Sequence, residues 1–203
     1  MSNTQPISRR MERGILILFA AAGLVLGLAL ALPGIRQAIG LATGESGISL
    51  LTDAAVPLGI GGGASLTAAT FDTAWVVPTG LSASARSLLV LGALSGALTT
   101  LLTVGAVVLF LLLLMWRRPF HRAVIVATQV AGCALLLGSM LSSGLGGLGR
   151  MMAADELNPV AGDVFVVGFR FDPAWTLAGL AVLALSVVFS YGTRLQRDTE
   201  GLV

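Results

Sequence analysis

The sequence predicts an α-helical integral membrane protein with four transmembrane helices and a small extracytoplasmic β-containing cap. Three observations predict it. Hydrophobic residues make up 56% of the 203 positions and charged residues only 11%, with a mean hydropathy of +0.93, far from the balance of an ordinary soluble domain. Four uncharged runs each reach the length of about 20 apolar residues needed to cross a hydrocarbon core. The arginines between those runs alternate in density from one side to the other, as the positive-inside rule requires of a multi-pass chain.

The N-terminal residues 1–13 carry Arg9, Arg10 and Arg13 and read as cytoplasmic. The first span covers 14–35 and is expected to stop at Pro33-Gly34, a helix-terminating pair. The same stretch has the parts of a cleaved signal, a basic start, an apolar centre and the small-residue site Ala29-Leu30-Ala31. Its apolar run exceeds a typical signal core, which favours a retained span. Cleavage would leave three spans.

Residues 36–86 form the first extracytoplasmic segment. A flexible point at Gly61-Gly62-Gly63 precedes β-prone alternation from about Ser65 to Val77. The second span, 87–116, has 30 residues and would extend roughly 45 Å as one helix, so it must tilt or project. A six-residue cytoplasmic turn, 117–122, holds Arg117, Arg118 and Arg122. The third apolar run begins at Ala123 and is expected to dissolve among Gly144, Gly146, Gly147 and Gly149, which limits the span to 123–147.

The second extracytoplasmic segment, 148–172, contains the strand-like run from Asp163 to Phe171, which is expected to pair with the first outer segment in one sheet or hairpin. Asp172-Pro173 then supplies a helix cap and a first-turn proline for the fourth span, 173–193. Arg194 and Arg197 follow in the cytoplasmic tail, 194–203.

All twelve basic residues of the Lys+Arg count are arginine. Eight arginines against three acids fall on the cytoplasmic side, for +5, and four against seven on the other, for −3. This asymmetry accounts for the net +2 without a surface for direct nucleic-acid binding. Trp75, Trp116 and Trp175 sit where interfacial anchors are expected, in contact with the lipid bilayer. Phe71-Asp72-Thr73-Ala74-Trp75 recurs as Phe171-Asp172-Pro173-Ala174-Trp175, which is either coincidence or the trace of an internal repeat.

Small residues four apart, Gly23 with Gly27, Gly92 with Gly96 and Gly138 with Ser142, let helix backbones approach closely. Packing within the chain is their expected use, and a homo-oligomer contact is the alternative.

The chemistry-bearing residues are sparse. No span contains a charge, so the costly intramembrane group that marks an ion path or proton relay is missing. The spans' polar residues are mild: Ser95, Thr99, Thr100, Thr103, Thr128, Gln129, Ser186 and Ser190. Gln129 is expected to make an interhelical hydrogen bond. His121 and Cys133 are the only histidine and cysteine, too few for a metal cluster or a nucleophilic triad. Gly59 to Gly63 lacks the lysine of a phosphate loop. The sequence therefore assigns no catalytic, cofactor-binding or metal-ligating residue and predicts a non-enzyme.

The turn Arg117-Arg118-Pro119-Phe120-His121-Arg122 and the ending from Gly192 to Val203 resemble those of the bacterial membrane proteins grouped as the domain-of-unknown-function 2975 family. The resemblance implies four spans, a short Pro-Phe turn and a bacterial cell (inner) membrane location with both termini cytoplasmic. Members of that family often accompany small helix-turn-helix regulators, which implies a cytoplasmic transcription regulator as partner. Its contacts would fall on Arg117, Arg118, Phe120, Arg122, Leu202 and Val203, although arginines so placed also suit anionic lipid. A non-enzymatic regulatory or scaffolding component is thus the leading expectation. A small-molecule permease or channel component is the alternative, motivated by the glycine-rich bundle and polar second helix.

Overall fold

The computed structural model describes the backbone of residues 6–55, 70–116 and 122–200, and the side chains of 14–55, 70–116 and 122–192. Helices α1 (Pro6–Thr43), α2 (Ala83–Met115), α3 (Arg122–Ala161) and α4 (Pro173–Glu200) are each long and apolar enough to cross a membrane. Two short strands, β1 (Ile48–Leu51) and β2 (Thr73–Val76), pair antiparallel.

Two helix ends differ from the sequence expectation. α1 runs through Pro33 for another ten residues, to Thr43. A mid-helix proline forfeits one backbone hydrogen bond and costs roughly 3 kcal/mol, and the following turns offset this by burying Ala38 and Leu41. The helix ends instead at Gly44, whose φ of 82° reverses the chain, while the Glu45 amide donates to the Gly40 carbonyl at 2.7 Å. That is the six-to-one bond of a Schellman ending.

α3 likewise continues through Gly144, Gly146, Gly147 and Gly149 to Ala161. It closes in the same way: Gly162 has φ 75° and the Asp163 amide donates to the Asn158 carbonyl at 3.1 Å. At 40 residues, α3 measures about 60 Å, twice the ~30 Å thickness of a hydrocarbon core, so part of it must lie outside any bilayer it crosses.

The residues group into two compact units. One comprises 1–33, 95–140 and 172–203, and the other 34–94 and 141–171.

Among its described residues, the first unit holds helix and no strand. Its close approaches are made where side chains are absent: Gly179 of α4 meets the backbone of Leu136 on α3, and Gly132 of α3 receives Leu183 of α4. Val104 of α2 fills the space that a Cβ at Gly27 of α1 would need, and Thr99 does the same at Gly138. Phe110 and Phe189 add a tilted ring pair with centroids 6.3 Å apart. Asp172 caps α4 by accepting from the Ala174 amide at 3.0 Å, as the Asp172-Pro173 pair predicts. Outward-facing Leu18, Val25, Leu98 and Val188 are all more than half exposed, an apolar exterior suited to lipid rather than water.

The mid-helix hydroxyls turn back onto their own helices. Thr99, Thr100, Thr103, Thr128, Ser186 and Ser190 each donate to a carbonyl three or four residues earlier. Gln129 is exposed and makes no interhelical hydrogen bond among the described residues, contrary to expectation, because its position faces outward.

The second unit holds the sheet and a buried cluster of Leu41, Ile48, Leu50, Leu89, Ala153 and Ala154. Registers of Ile48 with Val76 and Leu50 with Ala74 put these four on one face of the ribbon. On that face Ile48 and Leu50 are buried, while Ser49, Leu51, Thr73 and Trp75 share the other.

The pairing corrects the expected topology. Both strands come from the first segment between helices. The predicted strand from Asp163 to Phe171 contributes a single bridge, Thr52 with Phe165. At that bridge the Val166 amide donates to the Leu51 carbonyl at 2.9 Å, while the Asn158 side chain accepts from the Phe165 amide at 3.0 Å and donates to the Phe165 carbonyl at 2.9 Å, so both backbone groups of Phe165 are satisfied without a third strand. The Phe-Asp-x-Ala-Trp echo also dissolves as a structural repeat: Thr73, Ala74 and Trp75 of the first copy lie in β2, whereas the second copy opens α4.

Candidate functional site

Polar side chains converge in the second unit. Arg170 donates to both carboxylate oxygens of Asp72, at 2.9 and 2.6 Å, across 98 residues of sequence. This bidentate pair fixes the plane of the guanidinium. Hydrogen bonding and charge from Arg170 hold the Asp72 carboxyl below the usual aspartate range, and Asp72 in turn raises the Arg170 affinity for its proton. Both side chains are about two-thirds exposed, so the pair positions more than it stabilises.

An aspartate with a lowered folded value contributes fully above its ordinary pKa and loses that contribution as pH falls through the folded value. The difference in thermal unfolding between the protein and its Asp72→Asn variant should therefore be constant from neutral pH down to about 3.8, the ordinary value, and close below it.

A second convergence joins the start of α2 to α3. Ser82 caps α2 by accepting from the Ala85 amide at 3.2 Å. Glu156 of α3 accepts from the Ser82 amide at 2.9 Å and from its hydroxyl. The carboxylate thus sits at the positive end of the α2 dipole. Ser82→Ala removes the cap and one Glu156 bond together and is expected to cost about 1–2 kcal/mol, read as a lowered unfolding temperature in detergent.

Thr52 is buried, and its hydroxyl donates to the Val164 carbonyl at 2.7 Å. The Val166 amide donates to the Leu51 carbonyl at 2.9 Å. These bonds hold the chain beyond α3 beside the end of β1.

A cavity of about 140 Å³ opens on the polar face of the sheet. Ser49, Leu50 and Leu51 from β1, Thr73 from β2, Arg150 from α3, and Val166, Gly168, Phe169 and Arg170 from the segment after α3 line it. A glycine lets one wall close in: Gly147 of α3 accommodates the Phe169 ring, closer than a Cβ would permit.

The residues singled out by sequence lie elsewhere. Arg117, Arg118, Phe120, Leu202 and Val203 fall outside the described residues. Arg122 opens α3 and is exposed. Trp75, Trp116 and Trp175 are 69%, 62% and 61% exposed, on β2, just past α2 and in the first turn of α4, with no common site. Trp75 covers Gly47, whose Cβ would clash with the indole. Cys133 is free and exposed, and no cluster of three or more His, Cys, Asp or Glu side chains occurs among the described residues.

In the sequence Arg150 and Arg170 are two of the four arginines in the sparsely basic segments, and that placement is the available signal, since an arginine retained where positive charge is depleted needs a local reason. Thr73 is marked in the sequence only as part of a β-prone stretch, and Ser49 and Asn158 carry no signal. The chain matches no family model, no curated protein and no solved structure.

Proposed function

We propose that this chain is a non-enzymatic bacterial cell-membrane protein that crosses the bilayer four times with both termini in the cytoplasm, acting as a regulatory or scaffolding component. Segments 36–86 and 148–172 are then extracytoplasmic, and a stimulus is received there. The message passes through the 117–122 turn and the termini to a soluble partner. The resemblance of that turn and of the tail to the domain-of-unknown-function 2975 family implies a helix-turn-helix regulator in that role.

The observation that carries this reading is the separation of chemistries. Four apolar helices expose large aliphatic side chains, while among the described residues the bonds of charged side chains to distant segments are those of Asp72 with Arg170 and of Glu156 with Ser82. The permease alternative finds less support. The hydroxyls that would line a polar path are spent on carbonyls of their own helices, and glycine contacts bring helix backbones together.

Single cysteines placed at Asp163 and Thr199 in a Cys133→Ser background test the orientation in intact cells. An impermeant maleimide should label the first and spare the second, and the reverse pattern sinks the topology. Detergent pull-downs with and without residues 195–203 test the role. Recovery of a soluble regulator that depends on the tail supports it, and recovery of no soluble partner counts against it.

A further inference from the structure

We propose that the cavity on the polar face of the β1–β2 sheet binds a phosphate-class oxyanion, with Arg150 as the residue that meets its charge. The proposal deepens the reading of this unit as the receiving part of a membrane protein, and rests on that reading for its biological meaning only.

The charge balance of the cavity carries the argument. Two arginines line it. Arg170 has its countercharge in Asp72, but Arg150 makes no ion pair or side-chain hydrogen bond among the described residues. Its neighbours one turn away on α3 are Gly146, Gly147, Ala153 and Ala154, none of which can pair with it. The lining therefore carries one guanidinium in excess. That single uncompensated positive charge favours an anion in the space it faces.

The remaining donors match phosphate better than a flat carboxylate. The Ser49 and Thr73 hydroxyls lie on the same face of the ribbon and make no hydrogen bond among the described residues. Arg170 spends one N–H from each terminal nitrogen on Asp72 and keeps others of its five. Donors thus approach from the sheet, from α3 and from the segment after it, the several directions a tetrahedral group with many acceptor sites can use. At 140 Å³ the space equals that of a few waters at about 30 Å³ each, enough for one phosphate group. The group could be a free phosphate or the head of an anionic phospholipid.

The test uses the full chain purified in detergent. In one arm, inorganic phosphate is titrated at constant ionic strength against chloride, and thermal unfolding is followed. In the other, native mass spectrometry counts phospholipid retained after release from nanodiscs of phosphatidylcholine with or without phosphatidylglycerol. A saturable upward shift with phosphate identifies the free anion as a source, and retention specific to phosphatidylglycerol identifies the headgroup.

In whichever arm responds, Arg150→Gln should weaken binding at least about tenfold, Thr73→Val should weaken it severalfold, and Arg36→Gln should leave it unchanged. Thr73→Val replaces an exposed side chain with an isostere suited to a strand, so it reports on the site even if Arg150→Gln unfolds. No response in either arm overturns the proposal, as does a response that Arg36→Gln lowers as much as Arg150→Gln. None of these readouts involves a soluble partner or the orientation, so failure of the regulatory reading and failure of the anion site are separately visible.

Discussion

Gly92→Ala should destabilise the protein by roughly 2 kcal/mol and loosen the approach of α2 to α3. A Cβ at Gly92 would lie 2.6 Å from both the Cα and the nitrogen of Gly146 and 3.2 Å from the Ser142 carbonyl oxygen. These are backbone atoms of another helix, so no rotamer change relieves the overlap and the helices must separate. Separation also weakens the bond from the Ser142 hydroxyl to the Gly92 carbonyl, now 3.0 Å. The gain in helix propensity, about 1 kcal/mol, opposes these losses without cancelling them.

Gly105→Ala in the same helix is the control. Nothing lies within 4 Å of its Cβ position, so only the propensity gain remains and stability should be unchanged or higher. Thermal unfolding of both variants in one detergent reads the difference, and equal midpoints would refute the packing argument.

Asn158→Ala should cost a further roughly 2 kcal/mol or more, because it strands both backbone groups of Phe165 at once. Each part-buried group left without a partner costs about 1–3 kcal/mol. The effect should be local first: amide exchange at Phe165 and Val166 accelerates, and the Leu51 to Val166 contact at the end of β1 loosens. Asn158→Asp is the informative companion. Its carboxylate still accepts from the Phe165 amide but cannot donate to the carbonyl, so it should recover part of the protection. Exchange that is as fast in Asn158→Asp as in Asn158→Ala would mean the amide bond contributes nothing.

Both residues show where local propensity locates an element and where it misplaces one. Gly144, Gly146, Gly147 and Gly149 suggest a fraying helix when only local propensity is weighed. Two of them serve close contact instead: Gly147 admits Phe169 and Gly149 admits Leu89. Similarly, Pro33-Gly34 is a strong local stop, yet α1 ends where Gly44 reverses the backbone, as α3 ends at Gly162. Gly162, at the end of a long helical run beyond Pro159, could have been chosen as a terminus from the chain alone. Asn158 could not, since its role depends on a partner held seven residues away across a helix end.

The sequence by itself determined that four helices are long and apolar enough to span a membrane, that α4 starts at Asp172-Pro173, and that arginines are unevenly shared between alternate sides. These properties are additive: each residue's preference for lipid or water, and each cap, acts almost alone. Only the tertiary structure decided which strands pair, which glycines admit a neighbour, and that Arg170 meets Asp72 while Arg150, lining the same cavity as Arg170, has no ion pair among the described residues. Those outcomes join residues up to about a hundred positions apart, and steric fit and backbone hydrogen-bond competition select among many partners of equal local propensity.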